Sequence, residues 1–344
     1  MGTATYPEFH RLEEAFVKQL VTVSICTWNR ARLLAGTLEQ LRNLRIPDGF
    51  EWELVVVDNN CTDETEDVLR SYSAMLPLRT FLEPNQGLAH ARNRAVEAAQ
   101  GGMIVWTDDD VLVDPGWLEA YVEAASRWPG AAVFGGPIEI LFEQEPPSWL
   151  LEGWTLFGGA YAERDFGTDP IPLDPQHIPL GANFAVRTEV QKRHRFDTTL
   201  GRRKEIMLGG EDTMLVRGIL AEGFEGRWIP DARVRHVIPP SRVSEDYLRR
   251  FFHGQGLFGA TRAKPGTGIR RLTRTWPVIR LRAALATLRY RATRRVTHSS
   301  TWSRHLAQES ALRGLADGIK EIHGRGRIRD AGTPIGPTRP HSSL

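Results

Sequence analysis

Four short apolar runs, each followed by a helical pattern and three of them ending on polar or acidic residues, constrain this chain more than any other feature. Val21–Thr27 reads VTVSICT, Leu54–Asp58 LVVVD, Leu78–Leu82 LRTFL and Met103–Thr107 MIVWT. The spacing between them predicts helices over Arg32–Leu44, Asp63–Tyr72 and Gly87–Gln100. A fourth follows over Pro115–Arg127, with proline near its first turn. Continuous apolar strands separated by helices predict an α/β chain with a mostly parallel central sheet covered on both faces. Ligands of such sheets bind outside the carboxyl ends of the strands, which is where the polar ends of these runs would lie.

Further along, Ala182–Val186 reads as a strand and Gly210–Glu222 as a helix. Trp228–Val237 reads as one or two strands, and Ser241–His253 as a helix. The stretch from Pro137 to Leu180 is rich in proline, glycine and aromatics, among them Trp149, Trp154, Phe157 and Tyr161. Such a stretch inside a compact enzyme is usually a functional loop region. Tyr247 to Gln308 then holds 14 Lys and Arg and no Asp or Glu. Within it Leu272, Trp276, Ile279, Ala283, Ala286 and Tyr290 fall at helical spacing. From Gly324 the residues are mostly Gly, Pro, Arg and Ser, the composition of a disordered tail.

A net charge of +2 over 344 residues argues against a polyanion binder acting with its whole surface. The two cysteines, Cys26 and Cys61, form no disulfide framework and have no metal-type spacing, which suits a reducing cytosol. No signal-peptide pattern and no apolar stretch of about 18 residues is seen, so no spanning helix is expected. The expected location is cytoplasmic, with peripheral contact at the inner face of a membrane held open by the basic region.

The strongest chemical signal is Thr107-Asp108-Asp109-Asp110-Val111. Three adjacent acids repel one another unless a cation joins them. Hard divalent ions take carboxylate oxygens and bridge a substrate's phosphates. A solvated acidic turn or a helix cap is the competing reading. Asp58, in VVVDNN, can accept hydrogen bonds from a ribose or base, or can simply close the strand–helix turn. Thr27-Trp28-Asn29-Arg30 adds polar groups and a fixed cation at the same edge. In Asn85-Gln86-Gly87-Leu88-Ala89-His90-Ala91-Arg92-Asn93, Gly87 permits close backbone approach and Arg92 offers a phosphate or base contact. Gly209-Gly210-Glu211-Asp212 places two acids at a helix start, where the macrodipole favours them; a plain helix cap is equally compatible. A lone His236 after a strand is more often structural than a ligand.

Taken in order, WNR, VVVDNN, NQGLAHARN, TDDDV, GANF and GGEDTML closely resemble glycosyltransferase family 2, with the GT-A fold. The resemblance runs from about Val21 to His253. It implies that Thr27, Asn29 and Arg30 contact the nucleotide, and that Asp58 holds the base with Asn60 nearby. Gly87 and Arg92 would flank the nucleotide. Asp108 and Asp110 would be the two ends of the DXD motif, Asp108 near the ribose and Asp110 on Mn or Mg at the diphosphate, with Asp109 between them on the donor side. Asp212 would be the general base, Glu211 its neighbour, and His236 a second metal ligand. The expected layout is an N-terminal extension over 1–20 and a catalytic domain over 21–255. Residues 21–136 of that domain would bind the nucleotide sugar and 137–255 would face the acceptor. A basic helical region over 256–323 and the tail over 324–344 would follow.

Processive synthases of this family carry a Gln-x-x-Arg-Trp motif and membrane helices. Arg249-Arg250-Phe251-Phe252-His253 stands near that place, so single sugar addition is expected. The implied reaction is a metal-assisted single displacement that inverts the anomeric carbon. The donor would be a UDP-, GDP- or dTDP-linked sugar, and the acceptor a hydroxyl of a glycan, a lipid-linked glycan or a small-molecule aglycone. A nucleotidyltransferase would need a Gly-rich basic loop after the first strand, and TWNRARLLAG provides none. A catalytically inactive sugar-nucleotide binder should have lost its acids. A membrane-surface or nucleic-acid binder would rest on the basic region alone, and no specific nucleic acid is expected.

Overall fold

The computed structural model describes residues 20–201, 207–261, 267–295 and 298–330. Its elements begin with β1 (Leu20–Thr27), α1 (Ala31–Leu41), β2 (Glu51–Asp58), α2 (Thr65–Tyr72), β3 (Leu78–Leu82) and α3 (Leu88–Ala98). Next come β4 (Met103–Thr107), β5 (Val111–Val113), α4 (Trp117–Arg127), β6 (Ala131–Gly135) and β7 (Ile138–Phe142). Two short helices, α5 (Ser148–Glu152) and α6 (Trp154–Phe157), precede β8 (Asn183–Arg187), α7 (Thr188–Arg193), α8 (Glu211–Ala221), β9 (Glu225–Trp228) and β10 (Val234–Ile238). The long helices α9 (Glu245–Thr261), α10 (Thr267–Thr293) and α11 (Ser299–Asp330) close the chain. It divides into two compact units, Met1–Phe251 and Phe252–Leu344.

In the first unit seven strands form one sheet in the order β3-β2-β1-β4-β8-β6-β9, and β5-β10-β7 form a second. Strands β1 to β4 are mutually parallel, and β8 alone runs against its neighbours in the large sheet. Alternation along each strand builds a core on each face. Leu54 and Val56 join Val23, Ile25 and Val105 on one side, with Leu34, Leu38 and Leu41 of α1 packed over them. Val55 and Val57 join Ile104, Trp106 and Phe184 on the other, under Ala91, Ala95 and Val96 of α3. Gly101 brings the α3–β4 turn onto β1: a Cβ there would lie 2.6 Å from the Thr22 amide nitrogen and 2.7 Å from the Leu20 carbonyl oxygen.

Sequence and structure differ in two places. The helix α11 runs to Asp330, through the start of the expected tail at Gly324; its arginines are good helix formers and offset Gly324 and Gly326. Residues 331–344 of that tail, and 1–19 of the N-terminal extension, lie outside the described residues. The Pro137–Leu180 stretch is not all loop either, because β7 pairs along β10 from Ile138↔Val234 to Phe142↔Ile238.

Asn183 ties the two halves of the unit together. Its side-chain carbonyl accepts from Trp117 Nε1 at 2.8 Å and Tyr121 Oη at 2.7 Å. Its amide donates to the Pro137 and Ala232 carbonyls at 2.9 and 2.7 Å. Asn183→Ala strands all four partners in the core, each at a cost of about 1–3 kcal/mol where no water replaces it. A loss of about 3 kcal/mol or more in urea unfolding, against less than about 0.5 kcal/mol for an exposed control such as Glu145→Ala, is expected.

Candidate active site

The parallel strands deliver Thr27, Asp58 and Thr107 to one edge, and Thr27 stands opposite Asp58 in register. Two turns there need left-handed backbone, and both use asparagine: Asn29 has φ 52° and Asn60 has φ 64°. Asparagine tolerates that region better than other residues with a side chain. Asn29 Oδ1 accepts from the Thr62 amide at 2.7 Å, and Asn60 Nδ2 donates to the Pro84 carbonyl at 2.7 Å. Asn59 reaches the same loop, accepting from the Gly87 amide at 2.8 Å. Gly87 itself, at φ 141°, has a backbone that only glycine adopts easily. Asp58 Oδ1 accepts from the Cys61 amide at 2.7 Å and so closes its turn, with the Cys61 thiol beside the same carboxylate.

The three acids after β4 turn in three directions. Asp108 remains about a third exposed and meets Arg92 at 3.3 Å. Asp109, grouped with the donor contacts by the sequence reading, is turned inward instead. It is buried, and it accepts from Thr27 Oγ1 and Arg30 Nη1, both at 2.8 Å. Adjacent side chains cannot share one direction, so the middle acid becomes the anchor of the turn. Asp110 Oδ2 takes Arg30 at 3.0 Å and Arg242 at 2.8 Å, while Oδ1 lies 3.4 Å from His236 Nε2. Burial raises the Asp109 carboxyl above its usual range, with Arg30 opposing. Burial acts on Asp110 in the same sense, but His236, Arg242 and Arg30 outweigh it and hold Asp110 well below the carboxylate range.

Arg92 occupies a place the sequence did not suggest. It is buried between Glu211 Oε1 at 3.0 Å and Asp108 Oδ1 at 3.3 Å. Burial disfavours its charge, but Glu211, Asp108 and Asp212 reverse this and raise it. Arg92 thus joins β4 to the start of α8 rather than presenting a free guanidinium. Gly210, at φ 98°, turns the chain into α8. Asp212 then accepts from the Gly181 amide through Oδ2 and the Thr213 amide through Oδ1, both at 2.6 Å. Thr213 Oγ1 adds a third contact, to Oδ1 at 3.3 Å; together they fix the carboxylate's direction and leave Oδ2 a second lone pair.

His236 sits on β10 opposite Val111, next to the acids. Its Nδ1 contacts the Tyr161 carbonyl, and its Nε2 faces Arg242 Nη1 at 3.0 Å. A carbonyl can only accept, so Nδ1 donates to Tyr161, while Nε2 lies between Arg242 and Asp110 Oδ1. Arg242 carried no signal in the sequence; only the fold brings a residue of the Pro240–Arg242 turn to Asp110, 132 positions earlier. The divalent cation that the resemblance implies must be weighed against these contacts. A carboxylate and an imidazole 3.4 Å apart are a donor pair that Mn or Mg accepts. No group of three or more such ligands occurs among the described residues. That suits an ion drawing its other ligands from diphosphate and water. The donors fit on one condition: Arg242, which now donates to both, has to turn away. A hollow of about 880 Å³ lies at the opposite, amino end of the strands, lined by Leu20, Phe50 and Gln100, and holds none of these acids.

Residues 22–188 match the family described as Glycosyl transferase family 2. Over that segment, just under half of the chain, the sequence is that of glycosyltransferase family 2. The matched segment carries the site from Thr27 to Asn183; Asp212 and His236 follow it. Validoxylamine A glucosyltransferase of Streptomyces hygroscopicus subsp. limoneus is 35% identical over 120 residues, 34% of this chain and 26% of that one. Chondroitin synthase of Escherichia coli is 27% identical over 124 residues, 34% of this chain and 18% of that one. The matches span about a quarter or less of these curated relatives' lengths. Among solved structures, the mannosyltransferase PcManGT from Pyrobaculum calidifontis, in complex with GDP-Man and Mn2+, superposes with TM-score 0.52 at 18% identity, covering 95% of this chain and 88% of that one. TarS 1-349 of S. aureus in complex with UDP gives TM-score 0.52 at 14% identity over 89% and 91%. These likenesses establish the GT-A fold of the chain.

The Arg92 bridge yields a stability prediction. Arg92→Met removes a buried cation from between two carboxylates and should destabilise by about 3 kcal/mol. Adding Glu211→Gln should recover part of that loss, so a double-mutant cycle read by urea unfolding should show coupling of about 1 kcal/mol or more. Additive changes would mean that the bridge is not formed in solution.

Proposed function

We propose that this chain moves a sugar from a nucleotide-diphosphate donor to an acceptor hydroxyl at the carboxyl edge of β1, β2 and β4, with inversion. The observation that carries the reading is the meeting, at one edge, of Asp58 from β2 with the acids of the β4 end and the α8 start, the last two linked by Arg92. Asp58 faces the nucleoside side of that edge in this reading, and the part-exposed Asp108 the ribose. Asp110 and His236 would hold Mn or Mg, which when bound neutralises the diphosphate leaving group. Asp212, held by the Gly181 and Thr213 amides, takes the proton of the acceptor hydroxyl as it attacks the anomeric carbon from the opposite face.

The acceptor side is aromatic. Trp154 stacks on Tyr161 at 5.5 Å between centroids, and Tyr161 on Tyr247 at 5.4 Å. The Tyr161 carbonyl also holds His236, so the stack adjoins the acids. Tyr161 and Tyr247 are buried in the stack, and Trp154 stays part-exposed, with an indole face that suits the apolar face of a sugar ring or an aglycone. UDP-, GDP- and dTDP-sugars are the donor candidates, and a thermal-shift screen with Mn ranks them, because a ligand of the folded state raises its apparent stability.

Three variants test the assignment. Asp212→Asn should lower turnover by about 10²-fold or more with donor affinity unchanged. Asp110→Ala should lose the Mn-dependent part of donor binding in calorimetry, as chelation by EDTA should in the parent. Arg242→Ala removes the residue that competes for Asp110 and His236, and should tighten Mn uptake by about tenfold, given the strength of a unit charge at this range. Full turnover by Asp212→Asn would remove it as the base, and full turnover in a chelated sample would remove the cation.

A further inference from the structure

The second unit carries a surface that the transferase reading does not use. Helix α10 buries one face: Ile279 clusters with Ala316 and Ile319 of α11, and Ala283 and Ala286 are buried along the same face. Trp276 Nε1 donates to the Ala316 carbonyl at 3.1 Å, and Tyr290 meets Trp302 edge to face. The opposite face has no such cover. Val278, Leu281, Leu285 and Leu288 are 49%, 61%, 45% and 60% exposed. They recur at intervals of three and four residues, so they form one stripe rather than scattered contacts. Single exposed leucines need no explanation, but a continuous stripe does.

Arginines flank the stripe on both sides. At about 100° per residue, Arg282 and Arg289 lie roughly 70° to one side of its centre, and Arg280 and Arg291 roughly 110° to the other. All four are exposed. Among the described residues none of Arg282, Arg289 and Arg291 has an ion-pair partner, and Arg280 lies over the Trp276 ring. Over its whole length α10 has seven arginines and no acid. On the Arg282 shoulder a shallow hollow of about 270 Å³ is lined by Arg282, Leu285, Ala286, Arg289 and Gln308. Two guanidiniums two turns apart beside a leucine offer a place for a phosphate whose ester carbons continue into apolar surroundings.

We propose that this face of α10 docks on an anionic phospholipid bilayer. A helix lying in the interface buries its apolar stripe at the headgroup–acyl boundary, while the flanking arginines stay at phosphate level with their stems along the apolar surface. The charge pattern selects this occupant. A second copy joined through a two-fold axis would set arginines against arginines with no acid between them. A nucleic acid would meet the arginines but gain nothing from the leucines that separate them.

Flotation of the whole chain with vesicles tests this directly. Phosphatidylcholine vesicles should bind little, and vesicles with about a third phosphatidylglycerol should bind strongly and in a salt-dependent way. Arg282→Gln with Arg289→Gln should lower partitioning by roughly twentyfold, at about fivefold per arginine near an anionic surface. Leu281→Ser with Leu285→Ser should lower it by about tenfold or more, because the stripe loses its apolar burial. Both pairs are exposed, so circular dichroism should be unchanged. The proposal fails if neither kind of vesicle binds, or if both bind alike. It fails if the leucine variant partitions like the parent, which would leave only a polyanion surface. It also fails if sedimentation shows a dimer that the leucine variant breaks and vesicles do not compete for.

Discussion

Three carboxylates in a row at the end of β4 cannot share one environment, and the structure resolves their repulsion by setting three arginines among them. Asp108 takes Arg92 from α3, Asp109 takes Arg30 from the first strand–helix turn, and Asp110 takes Arg30 and Arg242. Each pairing reaches into a different part of the unit. Arg92 continues to Glu211 at the start of α8. Arg242 comes from the turn after β10 and also touches His236. The acids therefore place the loop after β1, helix α3, helix α8 and the second sheet around one edge. A buried ion pair is weak evidence of stability when counted alone. A set that shares its members, as here, fixes the relative position of four elements.

The same arrangement divides the acids by task. Asp109 is fully committed inside and serves as the anchor. Asp108 keeps a third of its surface, and Asp212 keeps a lone pair on Oδ2 beyond its amide and hydroxyl contacts. Asp110 is the one whose partners have to change if a divalent ion is to share it with His236. The Arg242 guanidinium supplies positive charge to Asp110 and contacts His236 as well.

Much of this was legible in the sequence. The runs VTVSICT, LVVVD and MIVWT are β-branched or aromatic and bounded by helical patterns, so strands β1, β2 and β4 and their parallel order followed from local chemistry. The acids at their ends pointed to the carboxyl edge, where the structure brings them together. Short strands such as Ala131–Gly135 and Val111–Val113 were not legible, because five or three apolar residues have no period of their own and exist as strands only through their partners. The inward turn of Asp109 was hidden for a similar reason: its partners Thr27 and Arg30 are about 80 positions away. Arg92 looked like a ligand contact because sequence shows a residue type, not the two carboxylates that enclose it. Ile279, Ala283 and Ala286 showed the helical spacing of one apolar face of α10, whereas the burial of that face and the exposure of the leucines depend on what α11 covers.

The central claim is that the acid-lined carboxyl edge is where a nucleotide-diphosphate sugar sits. Hydrogen–deuterium exchange on the whole chain, with and without Mn and the donor that stabilises it most, locates that ligand without relying on turnover. The account predicts slowed exchange in the segments 58–62, 107–113 and 236–242, and none around the hollow lined by Leu20, Phe50 and Gln100 at the other end of the strands. Protection confined to that far hollow, or a bound donor that leaves 107–113 unchanged, would contradict it.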